Sequence, residues 1–321
     1  MIKSGDKSTL LINGAIAIIV TGAFAFWAMS LSDLGHVADD LASSSLNGWF
    51  LCCGFMVLVT ACRYLRVQLC VPSAPPLSLY RASALHGAAI SVLPGKLGEA
   101  VLPVALKQLA GIPLMSGAGL LLLIRAFDTA ALATLATIAY WLSGVAEPGM
   151  SGLVKVAAFV ALVLLGSAPL VVVHGIRFLP RGDHFIGRMV DSITAAIQII
   201  PLSRIYLILL MTVMIWIFLG LAAFASIEAV GLEATLVNGM LAVALGSFAF
   251  ALPINGIASI GPFEAAFSFA LGLFGMPLDA AIAAAVHLHV CAVGTALVAA
   301  IAGQIAVMAK VTFAGSVGTN Q

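Results

Sequence analysis

A Pro/Gly break occurs twice in this chain, about 160 residues apart, each time inside an otherwise apolar stretch. The first copy reads Leu93-Pro94-Gly95-Lys96-Leu97-Gly98-Glu99, followed by Gly111-Ile112-Pro113 and then Arg125. The second reads Leu252-Pro253-Ile254-Asn255-Gly256, then Gly261-Pro262-Phe263-Glu264, Gly275-Met276-Pro277 and His289. Pro113 to Arg125 and Pro277 to His289 are the same step of 12 residues. Each copy sets a break and a carboxylate between two apolar segments too short to cross a bilayer. That pattern predicts a re-entrant helical hairpin, and two of them in corresponding halves point to a transporter's binding site.

The setting is a membrane. Of 321 residues, 62% are hydrophobic and 8% charged, with mean hydropathy +1.17. A soluble domain of this length does not have that composition. No basic, aromatic surface suggests nucleic acid. The five cysteines (Cys52, Cys53, Cys62, Cys70, Cys291) lie in or beside apolar segments without metal-ligand spacing, and read as free thiols packing as small hydrophobes. The apolar run from Leu10 to Leu31 behind Lys3 and Lys7 is as long as a full span, so it reads as a retained first helix, not a signal peptide.

The predicted fold is all-α and polytopic, a single transmembrane domain over 1–321. Six segments suffice to cross: 10–31, 47–69, 116–142, 153–175, 204–228 and 279–309. The first half, about 47–142, holds one hairpin at 76–115. The second, about 204–309, holds the other at 236–276. With the N-terminus in the cytoplasm, Lys3, Lys7, Arg63, Arg66, Arg81, Lys96, Lys107, Arg177, Arg181, Arg188, Arg204 and Lys310 fall on that side. Only Lys155 falls outside and Arg125 within a span, a 12-to-1 split that the positive-inside rule favours. Asp33, Asp39, Asp40, Glu147, Glu228 and Glu233 take the outer loops. Segment 183–200 has apolar residues at Ile186, Val190, Ile193 and Ile197 and predicts an amphipathic helix along the cytoplasmic interface. Three full spans separate the hairpins. They should therefore enter from opposite sides, as an inverted-topology repeat with tips meeting near the midplane.

Irregular backbone at membrane depth requires a cavity or surrounding protein. The second arm of each hairpin starts at the tip, so its free N–H groups and positive dipole end should point into that cavity and favour an anion. Ser259 and Pro262 suit the N-cap and early-helix positions of the second arm. Lys96, at the first tip, can neutralise a phosphate; Lys107, further along, can snorkel to the interface. Arg125 and Asp128 stand three apart on one helix face, and either a structural ion pair or a ligand site accounts for them. Glu99 and Glu264 occupy equivalent places just inside the second arms, as dipole partners, as intra-site partners of Lys96 or Arg125, as proton carriers that couple transport, or as contacts to a cationic head group. His289 stands where Arg125 stands in the first half. His287 and His289 cannot share one face, so no joint metal site is expected of them.

The stretch Pro94-Gly95-Lys96-Leu97-Gly98-Glu99, with Lys107 and Arg125-Ala126-Phe127-Asp128, resembles the signature of the lysylphosphatidylglycerol synthase transmembrane, or flippase-like, family. Pro253 through Gly261-Pro262-Phe263-Glu264 resembles its second motif, although Asn255-Gly256-Ile257-Ala258-Ser259 stands where the family has a glycine run. The resemblance spans most of the chain. It implies movement of a lipid between leaflets of a bacterial inner membrane, with aminoacyl-phosphatidylglycerols, polyprenyl-linked sugars or hopanoid-related lipids as the substrate range. The soluble aminoacyl-transferase domain of bifunctional members has no counterpart here, so lysyl-lipid synthesis is not expected.

The residues expected to bind a phosphate-bearing phospholipid or polyprenyl-type lipid are Lys96, Glu99, Arg125, Asp128, Asn255, Ser259, Glu264 and His289. No catalytic residue, metal or cofactor is expected, and a homo-oligomer is compatible with the pattern. No G-x-x-x-x-G-K-[ST] loop occurs, so ATP is not the expected direct driver. A proton-coupled exporter of a small soluble solute is the alternative that the same hairpin logic supports. An intramembrane enzyme is a further rival, since Gly256-x-x-Ser259 with His287 faintly resembles a serine–histidine dyad.

Overall fold

The computed structural model describes residues 18–175 except 31, 95 and 145–150, five positions between 187 and 200, and residues 201–318 except 253–255. Every regular element among them is helical. The helices are α1 (Ile18–Ser30), α2 (Leu34–Ala42), α3 (Leu46–Cys70), α4 (Pro76–Val92), α5 (Val101–Ala110), α6 (Leu114–Leu142), α7 (Ser151–Gly175), α8 (Leu202–Ala229), α9 (Leu236–Ala251), α10 (Pro262–Gly272) and α11 (Leu278–Gly318).

Four helices, α3, α6, α8 and α11, are long and apolar enough to cross a membrane. They coincide with four of the six expected spans. The number reaches five if α1 and α2, bent by 94° at the break between them, make one span. The expected span 153–175 falls on α7, whose described apolar stretch, Gly152–Leu165, is shorter. At 1.5 Å per residue, the 25 residues of α3 reach about 37 Å, enough for a hydrocarbon core of about 30 Å. Phe26, Leu46, Phe50 and Met308 are among the large apolar side chains left on the outside, as a lipid-facing surface requires. The expected amphipathic helix at 183–200 lies mostly outside the described residues.

The two Pro/Gly breaks each separate a pair of short helices that pack on one another, α4 with α5 and α9 with α10. Their lengths are 17, 10, 16 and 11 residues. Local chemistry sets the ends. Pro75 and Pro76 open α4. Gly111, at φ +70°, closes α5 in the left-handed conformation, and Pro113 then starts α6. Thr235 and Asn238 cap α9 reciprocally: Asn238 N–H donates to Thr235 Oγ1, and Thr235 N–H donates to Asn238 Oδ1.

The two breaks meet. Ser259 Oγ donates to the Ile90 carbonyl at 2.9 Å, tying the second break to the last turns of α4. Lys96 Nζ donates to the Phe250 carbonyl at 2.9 Å, tying the first break to the end of α9. There a cation faces a helix C-terminus, the favourable sign. Gly98 lies so close to α4 that a Cβ would stand 2.6 Å from the Ala89 carbonyl oxygen and the Ile90 backbone.

Candidate functional site

Between the break region and α3, α6, α8 and α11 lies a cavity of about 570 Å³. Most of its wall is apolar, and its polar groups come from helices far apart in sequence. Arg63 and Arg66 stand three apart on α3, and Arg125 and Asp128 three apart on α6, so each pair presents one face. Glu99 comes from the short 3₁₀ turn Leu97–Ala100 that follows the first break.

All of these groups except Arg63 join in one connected chain. Glu99 receives Arg125 in a two-pronged contact, Nη2 to Oε1 at 2.5 Å and Nε to Oε2 at 3.1 Å. His86 Nε2 lies 3.5 Å from the same carboxylate. Arg125 Nη1 also donates to Asp128 Oδ2 at 3.2 Å. The nearer partner of Asp128 is Arg66, whose Nη1 lies 2.5 Å from Oδ1 and also donates to Thr212 of α8 at 3.1 Å. The expected Arg125–Asp128 pair is therefore present, but neither residue has the other as its main partner.

Arg63, Arg66 and His86 were not singled out as site residues. The two arginines sit near the end of an apolar helix, where a sequence reading assigns them to the cytoplasmic interface. Instead Arg66 is buried, and both line the cavity. Packing of α3 against α8 turns them inward, and Arg66 reaches Asp128 of α6. Their three-residue spacing, matching that of Arg125 and Asp128, was the available signal.

Glu264 and His289 are the second half's counterpart of Glu99 and Arg125. His289 Nδ1 lies 2.6 Å from Glu264 Oε1, and Glu264 Oε2 accepts the Gly261 N–H at 2.6 Å. His289 lines the cavity; Glu264 is wholly buried behind it and is not part of the wall. Two expectations change here. Glu264 is shut off from the cavity surface. The N-terminus of α10 does not offer its positive end to the cavity, because its own first-turn carboxylate already accepts there. The positive potential of the cavity comes from side chains.

Ser259 lines the cavity but does not cap α10; Gly261 is the N-cap and Pro262 the first helical residue. Ser259 takes φ +62° in the 3₁₀ turn Ile257–Ser259 and spends its hydroxyl on Ile90. His287 faces elsewhere: its Nδ1 is 2.7 Å from Ser226 Oγ. Ser259 and His287 are thus engaged with different partners and form no dyad. Asn255 lies outside the described residues, and Lys107 is exposed away from the cavity.

The cysteines are free thiols, as expected. The expectation that they form no ligand grouping needs correction. Cys52, His287 and Cys291 converge, with one ligand atom from each within 4.8 Å of the others. No linear spacing announces this, because Cys52 sits in the first half and the other two in the second.

A comparison with curated proteins finds no match. A family model described as "Lysylphosphatidylglycerol synthase TM region" matches residues 14–300. That segment contains both breaks, the polar chain from His86 to Thr212 and the Glu264–His289 pair, and the protein, a multi-pass membrane protein, belongs to that family.

Proposed function

We propose that this protein carries a phosphate-bearing lipid between the leaflets of a bacterial inner membrane, holding the head group in the cavity while the acyl chains stay in lipid. The observation that carries the reading is the charge of the cavity wall. Among the described residues of the wall, Arg63, Arg66, Lys96 and Arg125 oppose only Glu99 and Asp128, so four positive charges meet two negative ones and leave +2 with the histidines neutral. Arg63 makes no hydrogen bond or ion pair among the described residues. Stranding a cation at membrane depth is unfavourable unless an anion visits, and a guanidinium matches a phosphate in two-pronged geometry. The family supports a role in lipid handling.

In this reading the six apolar segments all cross, both termini are cytoplasmic, and the α4–α5 and α9–α10 pairs are re-entrant hairpins of an inverted repeat. Glu99 and Asp128 hold Arg125 and Arg66 in place. Lys96 and Ser259 hold the two breaks together. Alternating access follows if those cross-break bonds form on one side and release on the other. No bond-making step is assigned, and ATP is not the direct driver.

The test is transfer of labelled phosphatidylglycerol between leaflets of proteoliposomes, with Arg63→Gln as the variant. Wild-type protein should transfer the lipid without ATP. Arg63→Gln should lose most of that transfer at unchanged expression and melting temperature. Transfer no faster than in protein-free vesicles, or an unaffected Arg63→Gln, would overturn the reading. Mass spectrometry of co-purified molecules separates a lipid from a soluble solute.

A further inference from the structure

The grouping of Cys52, His287 and Cys291 lies outside the polar chain and does nothing for the transport reading. Cys52 comes from α3, and His287 and Cys291 from α11, where four-residue spacing puts them on one face. All three are buried, with relative exposures of 0%, 0% and 2%. One ligand atom from each lies within 4.8 Å of the other two. Trp49 packs on the His287 ring, centroid to centroid 4.0 Å, within the main apolar core, where Ser226 and Cys53 also stand beside the group.

The hydrogen bonds of His287 select its tautomer. Ser226 Oγ lies 2.8 Å from the Ala284 carbonyl oxygen and 2.7 Å from His287 Nδ1. A carbonyl can only accept, so the single hydroxyl proton goes to Ala284, and Nδ1–H donates to Ser226. The ring's lone pair is then on Nε2. That atom is buried and has no hydrogen-bond partner. An outer partner that fixes the ring through one nitrogen and leaves the other free is the arrangement of a metal-bound histidine. A buried acceptor left unsatisfied is otherwise costly.

We propose that Cys52, Cys291 and His287 Nε2 bind one divalent thiophilic cation of the zinc type. Two thiolates and an imidazole are suitable ligands. Charge selects the divalent ion: with two thiolates it forms a neutral unit, whereas a monovalent ion would leave a net negative charge in apolar surroundings. Binding breaks two S–H bonds, releases two protons and forms two metal–sulfur bonds, with no redox change. The site adjoins the main cavity. Met56, one turn beyond Cys52 on α3, and Leu288, beside His287, both line the main cavity. Occupancy would clamp α3 to α11, joining the two halves of the chain.

The experiment uses the full-length protein, free of any affinity tag, in detergent under reducing conditions. It is loaded with Zn(II), or with Co(II) as a spectroscopic probe, then desalted. One ion per chain should remain, Co(II) should give sulfur-to-metal charge-transfer absorption, and the melting temperature should rise. Cys52→Ser, Cys291→Ser and His287→Ala should lose the ion, while Cys62→Ser and Cys70→Ser keep it. If the three site variants fail to fold, alkylation of wild-type protein mapped by mass spectrometry decides: zinc should protect Cys52 and Cys291 relative to Cys62. No retained ion, cobalt absorption without a thiolate band, retention unchanged in Cys52→Ser, equal alkylation with and without zinc, or a Cys52–Cys291 disulfide would overturn the assignment. Lipid transfer is not a readout here, so failure of this site and failure of the transport reading are distinguishable.

Discussion

Glu264 Oε1 and His289 Nδ1 lie 2.6 Å apart, repeating in the second half the contact that Glu99 makes with Arg125 in the first. The base differs in kind. Arg125 is permanently charged, and its side chain is 38% exposed to the cavity. His289 backs onto a carboxylate whose side chain is 1% exposed. In the proposed reading the first pair serves charge recognition, while the second mainly holds structure, because Glu264 also closes the N-terminus of α10.

That dual role separates two substitutions. Glu264→Gln keeps an acceptor for the Gly261 N–H and loses only the charge facing His289. Glu264→Ala loses both, and the missing cap should cost about a further 1 kcal/mol. Thermal unfolding in detergent should rank wild type above Gln above Ala. Equal melting temperatures for Gln and Ala would show that the carboxylate does not act as a cap.

Asp128 holds two arginines, so removing it should be severe. Asp128→Asn strands Arg66 in the bundle, and breaking a buried pair from one side typically costs about 3–5 kcal/mol. Arg66→Met together with Asp128→Leu removes both charges and should be milder, a coupling that a double-mutant cycle measures. Additive losses in expression and melting temperature would show that Arg66 and Asp128 are independent.

Lys96→Gln should slow transfer of an anionic lipid while the protein stays folded, because an amide can still donate to the Phe250 carbonyl but carries no charge. Lys107→Gln, at an exposed position in the last turn of α5, should leave transfer unchanged. Equal losses in the proteoliposome assay would indicate a general surface-charge effect in place of a cavity contribution.

Gly98→Ala should destabilise the first break. The added Cβ would meet backbone at 2.6 Å, and backbone yields less readily than a side chain; overpacking of this kind costs about 1–3 kcal/mol. Gly54→Ala on α3, with nothing within 4 Å of its Cβ position, should show no loss. The two melting temperatures, read side by side, check the close approach of the 3₁₀ turn to α4.

The orientation proposed above is open to labelling. A cysteine at Asp39 should react with an impermeant maleimide in intact cells, and one at Lys107 only after permeabilisation. Both positions are exposed, whereas the native cysteines are buried or partly so. Labelling of Lys107→Cys in intact cells would remove the inverted repeat along with the orientation.

Read along the chain, hydropathy and the Pro/Gly breaks were enough to place α3, α6, α8 and α11 and the short pairs between them, because both signals are local. Composition sets whether a segment can lie in lipid, and a proline or a glycine at positive φ ends a helix where it stands. The equivalence of Glu99 with Glu264, and of Arg125 with His289, was also legible, since a repeat preserves spacing. Tertiary structure alone decided the partners. Arg66 reads as an interfacial cation until α3 packs on α8 and delivers it to Asp128 of α6. Ser259 reads as a helix cap until the two breaks touch and Ile90 takes its hydroxyl. Cys52 has no company in sequence, and finds His287 and Cys291 only where α3 and α11 come together. Pairings of this kind depend on which helix faces meet, and no periodicity within one helix specifies the face of another.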